Sequence, residues 1–177
     1  NFGDALRRQG EQDLAVAEYR TAIELEPENI HAHSRLGDAL LAQGQFDEAI
    51  DEYKKSIELD PNSLTAHIDL GMALAKNGQT DEGVAEIERV VKIDPKYSTV
   101  LTRLGGELSN AGHLEEAVSV LRIAIERNPT DATPLRFLGI TLQKQGRVDQ
   151  AVAAFRNALE INPNDPAEEM LHRLLEK

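Results

Sequence analysis

The sequence predicts an all-α protein built as a tandem array of helix pairs, and three observations carry the prediction. Prolines stand at Pro27, Pro61, Pro95, Pro129 and Pro163, each 34 residues after the last. Two glycine columns keep the same period: Gly3, Gly37, Gly71, Gly105 and Gly139, then Gly10, Gly44, Gly78, Gly112 and Gly146. Between them runs an apolar column, Leu6, Leu40, Leu74, Leu108 and Leu142. A repeat of this length is one small helical unit that cannot bury its apolar face alone, so it stacks on its neighbours.

Each unit reads as two helices. In residues 132–165, Leu135, Leu138 and Leu142 recur at helical spacing and stop near Gly146. A second run, Val148, Ala151, Val152, Phe155 and Leu159, keeps the period and ends before Pro163. Gly146 suits the turn, because a left-handed residue there is cheap only for glycine. Pro163 cannot continue the second helix and fixes the exit. Pro134 fits a first helical turn, where its missing amide has no partner to lose. Ala15, Ala49, Gly83, Ala117 and Ala151 stand four residues before Tyr19, Tyr53, Ile87, Leu121 and Phe155, so a small and a large residue share one face. Close helix approach offsets the helix propensity that the first-helix glycines lose, on the order of 1 kcal/mol each.

The period divides the chain into one continuous array, 1–177. It comprises a partial unit 1–29, full units 30–63, 64–97, 98–131 and 132–165, and a terminal capping helix 166–177. Asn1 falls within the expected first helix, so the chain is expected to begin inside a unit of a longer protein. Asp165-Pro166-Ala167-Glu168 reads as the cap and acidic first turn of the last helix, with Met170, Leu171, Leu174 and Leu175 as its apolar stripe.

Composition narrows the function. The 177 residues carry 31 acidic and 19 basic side chains, a formal charge of −12, and 41% apolar residues. That is enough apolar surface for a packed core. No cysteine means no disulfide, thiolate metal site or cysteine nucleophile. It also fits a reducing compartment, and the cytoplasm is the expected location. No apolar run reaches the roughly 18 residues of a membrane span. A strongly acidic chain repels phosphate backbones, so nucleic acid is not an expected partner.

The run Leu36-Gly37, Leu40, Gly44, Ala49, Tyr53 and Pro61 resembles the tetratricopeptide repeat, and the resemblance covers the whole chain. It departs from the family pattern in two columns. His33, His67, Leu101 and Leu135 stand where the repeat has tryptophan, and leucine replaces its tyrosine. Gly83 and Ile87 weaken the third unit. The resemblance implies a right-handed α-solenoid whose first helices line a concave groove that takes an extended peptide or partner segment.

At about 100° per residue, each first helix turns an apolar and glycine face inward and a variable face outward. The variable face supplies the candidate groove residues Arg35, Asp38, Asp69, Met72, Lys76, Arg103, Arg136, Phe137, Ile140 and Lys144. Ile68, Met72, Phe137 and Ile140 are apolar residues on a face expected to be wet, which marks contact sites. From Lys76 onward the charged residues of this face are all basic, so the ligand is expected to bring an acidic or C-terminal carboxylate end near Arg103 and Arg136. The lysine–asparagine clamp that some relatives use on a chaperone's terminal carboxylate is absent. Its positions hold Ser34 and Asp38, Ile68 and Met72, and Thr102 and Gly106.

Chemistry is not expected. The pairs Asp47-Glu48, Asp81-Glu82 and Glu115-Glu116 begin second helices, where carboxylates complement the helix dipole. The histidines show no metal-ligand spacing, and His33 and His67 occupy a packing column. No phosphate loop or nucleophile elbow is present, so the segment is expected to be non-catalytic and to need no cofactor. Two other readings compete with a peptide-binding scaffold. One is the non-catalytic arm of a larger enzyme such as a glycosyltransferase, although the groove has only Asn1 and Asn110 where that version carries an asparagine ladder. The other is a homo-oligomer formed through the array's ends, with Phe2 and Leu6 meeting Leu171, Leu174 and Leu175.

Overall fold

A computed structural model describes residues 2–176. It is helical throughout, with eleven α-helices, one 3₁₀ turn and no strand among the described residues. The first helices of successive pairs start at Ile30, Leu64, Ser98 and Ala132, and the second helices at Gln12, Phe46, Thr80, Leu114 and Val148. Both series step by 34 residues. The helices gather into two compact units, Asn1–Val90 and Val91–Lys177.

In Asn1–Val90, α1 (Phe2–Gln9), α2 (Gln12–Leu25), α3 (Ile30–Ala42), α4 (Phe46–Leu59) and α5 (Leu64–Lys76) each pack on the next. First helices α3 and α5 also touch. The second helix of the third pair, α6 (Thr80–Ile93), runs past the end of this unit. In Val91–Lys177, a 3₁₀ turn (Pro95–Tyr97) leads into α7 (Ser98–Ala111), followed by α8 (Leu114–Arg127), α9 (Ala132–Lys144), α10 (Val148–Ile161) and α11 (Ala167–Leu175). Neighbours again pack in order, and first helices α7 and α9 meet.

The two glycine columns do different work. Gly44 and its four equivalents close the turns at φ between 76° and 91°, with open space where a Cβ would stand. The first-helix glycines instead face the large second-helix residue. A Cβ at Gly37 would lie 2.7 Å from Tyr53 Cε1, and one at Gly139 would lie 2.5 Å from Phe155 Cε1. Ala15, Ala49, Ala117 and Ala151, with Tyr19, Tyr53, Leu121 and Phe155, are fully buried. In the third pair Gly83 stands against the Gly71 carbonyl, so two backbones meet there and Ile87 fills less space than an aromatic ring.

Two sequence expectations are corrected. Ile68 and Met72 are not exposed: they retain 7% and 6% of their surface, and Met72 lies inside a run from Leu70 to Ala75 that is buried throughout. A first helix touches its neighbouring first helix as well as its own partner, so part of the face counted as wet is covered. Leu6 is buried at 9% rather than left bare, while Phe2 is 65% exposed. At the other end Met170, Leu171 and Leu174 pack on the core, whereas Leu175 is 61% exposed.

Candidate functional site

The first helices are placed by polar caps that recur with the repeat. Asn29 accepts from the Ala32 amide at 3.0 Å and Ser63 from the Ala66 amide at 3.4 Å. Asp131 accepts from Thr133 at 2.9 Å and Asp165 from Ala167 at 2.9 Å. Tyr97 falls in the same column without an acceptor at that place, and there the 3₁₀ turn supplies the entry, with Asp94 accepting from the Lys96 amide. In the first unit, histidines anchor the turns that carry the caps. His33 sets Nδ1 2.6 Å from Glu52 Oε2 and Nε2 2.9 Å from the Pro27 carbonyl. His67 repeats this with Glu86 at 2.8 Å and the Pro61 carbonyl at 3.2 Å.

Between these anchored turns and the outer faces of α3 and α5 lies a cleft of about 750 Å³. Helix α3 supplies Ser34, Arg35 and Asp38 to it, and α5 supplies Thr65 and Asp69. The turns add Glu28, Asn29, Asp60 and Ser63. Of the candidate groove residues, the cleft thus brings together Arg35, Asp38 and Asp69. The turn residues escaped a reading based on helix faces alone; the recurrence of Asn29, Ser63, Asp131 and Asp165 at 34-residue steps was the signal for them.

One wall of the cleft is a closed network of charges. Asp38 accepts from Arg7 Nη1 at 3.0 Å and from the Tyr53 hydroxyl at 3.0 Å. Arg35 lies 3.5 Å from Asp38 Oδ2 and 3.6 Å from Asp4 Oδ1. Asp4 in turn accepts from the Tyr19 hydroxyl at 2.7 Å, which lowers its pKa against the opposing effect of burial; Arg35 and Arg7 lower it further. Burial, then the bond to Asp4, pushes the Tyr19 phenol up to about 12. Burial and the Asp38 charge raise Tyr53 as well.

The second unit places the other candidates separately. Arg136 Nε is 3.0 Å from Asp165 Oδ1, and Asp165 is 5% exposed, so this cation already meets a carboxylate of its own unit. The contact lacks hydrogen-bond geometry at Nε, which makes it an ion pair and not a directed bond. The guanidinium also stands 5.2 Å from the centre of the Phe137 ring. Phe137 and Ile140 are half-buried against the core, and the Phe137 ring faces Gly106. Lys144 donates to the Ser109 carbonyl at 3.0 Å and to Asn110 Oδ1 at 3.1 Å, where its charge suits the C-terminus of α7. Arg103 is exposed and makes no ion pair among the described residues. In the first unit Lys76 is exposed and Met72 is buried.

The paired carboxylates of the second helices also act structurally. Gln43 donates to Asp13 at 2.7 Å, Asn77 to Asp47 at 2.7 Å and Gln145 to Glu115 at 3.0 Å, tying one pair to the next. Among the described residues no cluster of histidine and carboxylate side chains is arranged to hold a metal. Nor is any helix long and apolar enough to cross a membrane.

Family models described as tetratricopeptide or TPR repeats match residues 3–44, 37–78, 64–97 and 102–166. Solved structures share the fold. A crystal structure of MamA is 24% identical with a TM-score of 0.67, over 92% of this chain and 95% of that one. MamA from Desulfovibrio magneticus RS-1 is 20% identical with a TM-score of 0.68, over 94% of each chain. YrrB, described as a TPR protein with an unusual peptide-binding site, is 23% identical with a TM-score of 0.62, over 98% of this chain and 89% of that one. No curated protein sequence matches the chain.

Proposed function

The chain belongs to the tetratricopeptide repeat family, and from that premise we propose that it is a non-catalytic scaffold that holds a peptide or partner segment against its first helices. The cleft between α3 and α5 carries the reading. It is concave, its turns are pinned by His33 and His67, and the helix-face residues that line it differ from repeat to repeat while the glycine, leucine and proline columns stay constant. Fixed walls reduce the ordering cost of binding, and hydroxyl, amide and carboxylate groups offer partners to a peptide backbone. That YrrB, a protein of the same fold, is described as having a peptide-binding site supports a peptide as the class of ligand.

The acidic-ended ligand expected near Arg103 and Arg136 has weaker support. Arg136 already faces Asp165, and a second carboxylate would have to displace that partner. We therefore place the primary site at Arg35, Asp38 and Asp69, with Arg103 as the exposed cation of the second unit.

Phage-displayed heptapeptides selected on the immobilised chain test this. Enriched peptides should shift the amide signals of Ser34, Thr65 and Asp69, and binding should fall at least tenfold in Thr65→Trp. Thr99→Trp, at the equivalent place one repeat on, should leave binding unchanged. Enriched peptides that shift other residues, or that bind Thr65→Trp normally, would sink the assignment.

A further inference from the structure

One of the amide tethers between helix pairs is made by asparagine where its counterparts use glutamine. Gln43 and Gln145 reach back to Asp13 and Glu115, and Asn77 does the same to Asp47, its Nδ2 donating at 2.7 Å. Each ties the end of a first helix to the start of the second helix before it. The tethers are alike in geometry but differ in covalent chemistry. An asparagine amide closes a small cyclic imide with the next backbone nitrogen, whereas glutamine would need a larger, slower-forming ring. Asn77 precedes Gly78, and no other asparagine of the chain precedes a glycine. Gly78 is exposed, and nothing lies within 4 Å of the place where a Cβ would stand, so its nitrogen is unshielded. Its amide donates to the Ala75 carbonyl at 3.1 Å, just past the last turn of α5, where helices fray.

We propose that Asn77 is a site of spontaneous deamidation, which cuts the tether between the second and third helix pairs. When the end of α5 opens, the Gly78 nitrogen gives its proton to solvent and bonds to Asn77 Cγ. The Cγ–Nδ2 bond then breaks, and the nitrogen leaves as ammonia. Water opens the cyclic imide at either carbonyl, giving aspartate or isoaspartate, and no other reactant is needed. The product acts against the contact it replaces. A donor 2.7 Å from Asp47 becomes a second carboxylate, and the two like charges repel. The new charge also stands at the C-terminal end of α5, where the helix dipole disfavours an anion. Isoaspartate further adds a carbon to the main chain, inside the turn that the Gln79 amide closes on the Leu74 carbonyl at 2.9 Å. The modification therefore loosens one junction within Asn1–Val90 and leaves the glutamine tethers intact.

Storage of the full chain in mildly alkaline buffer, followed by digestion and peptide mass spectrometry, tests the site. The peptide holding Asn77 should be the first to gain aspartate and isoaspartate, ahead of those holding Asn62 and Asn164. Asp47→Ala frees the Asn77 side chain and should speed the change. Two further variants test the consequence. Asn77→Asp, the product installed directly, should exchange amide hydrogens about tenfold faster at the end of α5, as expected for a lost charge-assisted hydrogen bond. Asn77→Gln, the residue that Gln43 and Gln145 supply, should exchange like the unmodified chain and resist storage. Circular dichroism confirms that each variant is folded. Deamidation at Asn77 no faster than at Asn62 and Asn164 overturns the site. Exchange in Asn77→Asp equal to the unmodified chain overturns the loosening, because the tether would then hold nothing. A rate unchanged in Asp47→Ala overturns the coupling of the tether to the reaction.

Discussion

Gly37 and Gly44 are seven residues apart, and the structure holds each to glycine by a different constraint. A Cβ at Gly37 would press on the Tyr53 ring at 2.7 Å, in a core with no slack. A Cβ at Gly44 meets nothing but must live at φ 76°. Gly37→Ala should cost about 1–3 kcal/mol and change the near-ultraviolet signal of Tyr53. Gly44→Ala should cost about 1–2 kcal/mol from backbone strain alone and leave that signal intact. Urea unfolding with near-ultraviolet circular dichroism distinguishes them. Tyr19 gives a prediction in pH. Its folded pKa is raised to about 12 from 10, so its contribution to stability is complete below pH 10 and is lost as pH rises through 12. The Asp4 shift runs the other way, present above its ordinary value of 3.8 and lost as the solution becomes more acid. Tyr19→Phe should flatten the loss between pH 10 and 12, read by thermal melts across that range.

Single elements depend on a few polar contacts. Helix α11 is short, and its entry rests on Asp165, which caps the Ala167 amide while facing Arg136. Asp165→Ala removes both contacts and should release α11 first. Faster hydrogen exchange is expected over residues 168–175, with a loss of about 1–3 kcal/mol, since the half-buried Arg136 cation also loses its partner. Asp165→Asn should keep the cap and lose only the ion pair, giving a smaller effect. In α7, adjacent residues should behave oppositely. Leu104 is fully buried, and Leu104→Ala should cost about 2–5 kcal/mol. Arg103 is exposed, and Arg103→Glu should stay within about 0.5 kcal/mol. Thermal melts that fall equally for both would overturn the assignment of the two faces of α7.

Within each of the two units that make up the molecule, helices α1–α5 and α7–α11 pack on their sequence neighbours, so stability is a sum of local terms rather than one shared core. Leu40→Ala, at 1% exposure in α3, should therefore weaken hydrogen-exchange protection in α1–α5 far more than in α9–α11. Uniform loss of protection along the chain would mean that the array unfolds as one block.

Much of the fold was legible because helix pairs repeat: a residue type that recurs every 34 positions reports a constraint that every repeat meets. Turn glycines, buried alanine–aromatic pairs and helix starts all follow from such local constraints, and the structure places them where the columns put them. The candidate site was legible only in part. Arg35, Asp38 and Asp69 lie on the variable face and line the cleft, but its turn residues do not belong to a helix face. Burial of Met72 and Ile68 depends on neighbouring helices, which a single-helix wheel leaves out. Pairing of Arg136 with Asp165, 29 positions later, and of Arg7 with Asp38 depends on how successive helices meet. The sequence by itself therefore determined the repeat, its helices and its family, since these are set by short-range periodicity. Only the tertiary structure decided which charged residues meet and which line the cleft, because those meetings are made between residues far apart in the chain.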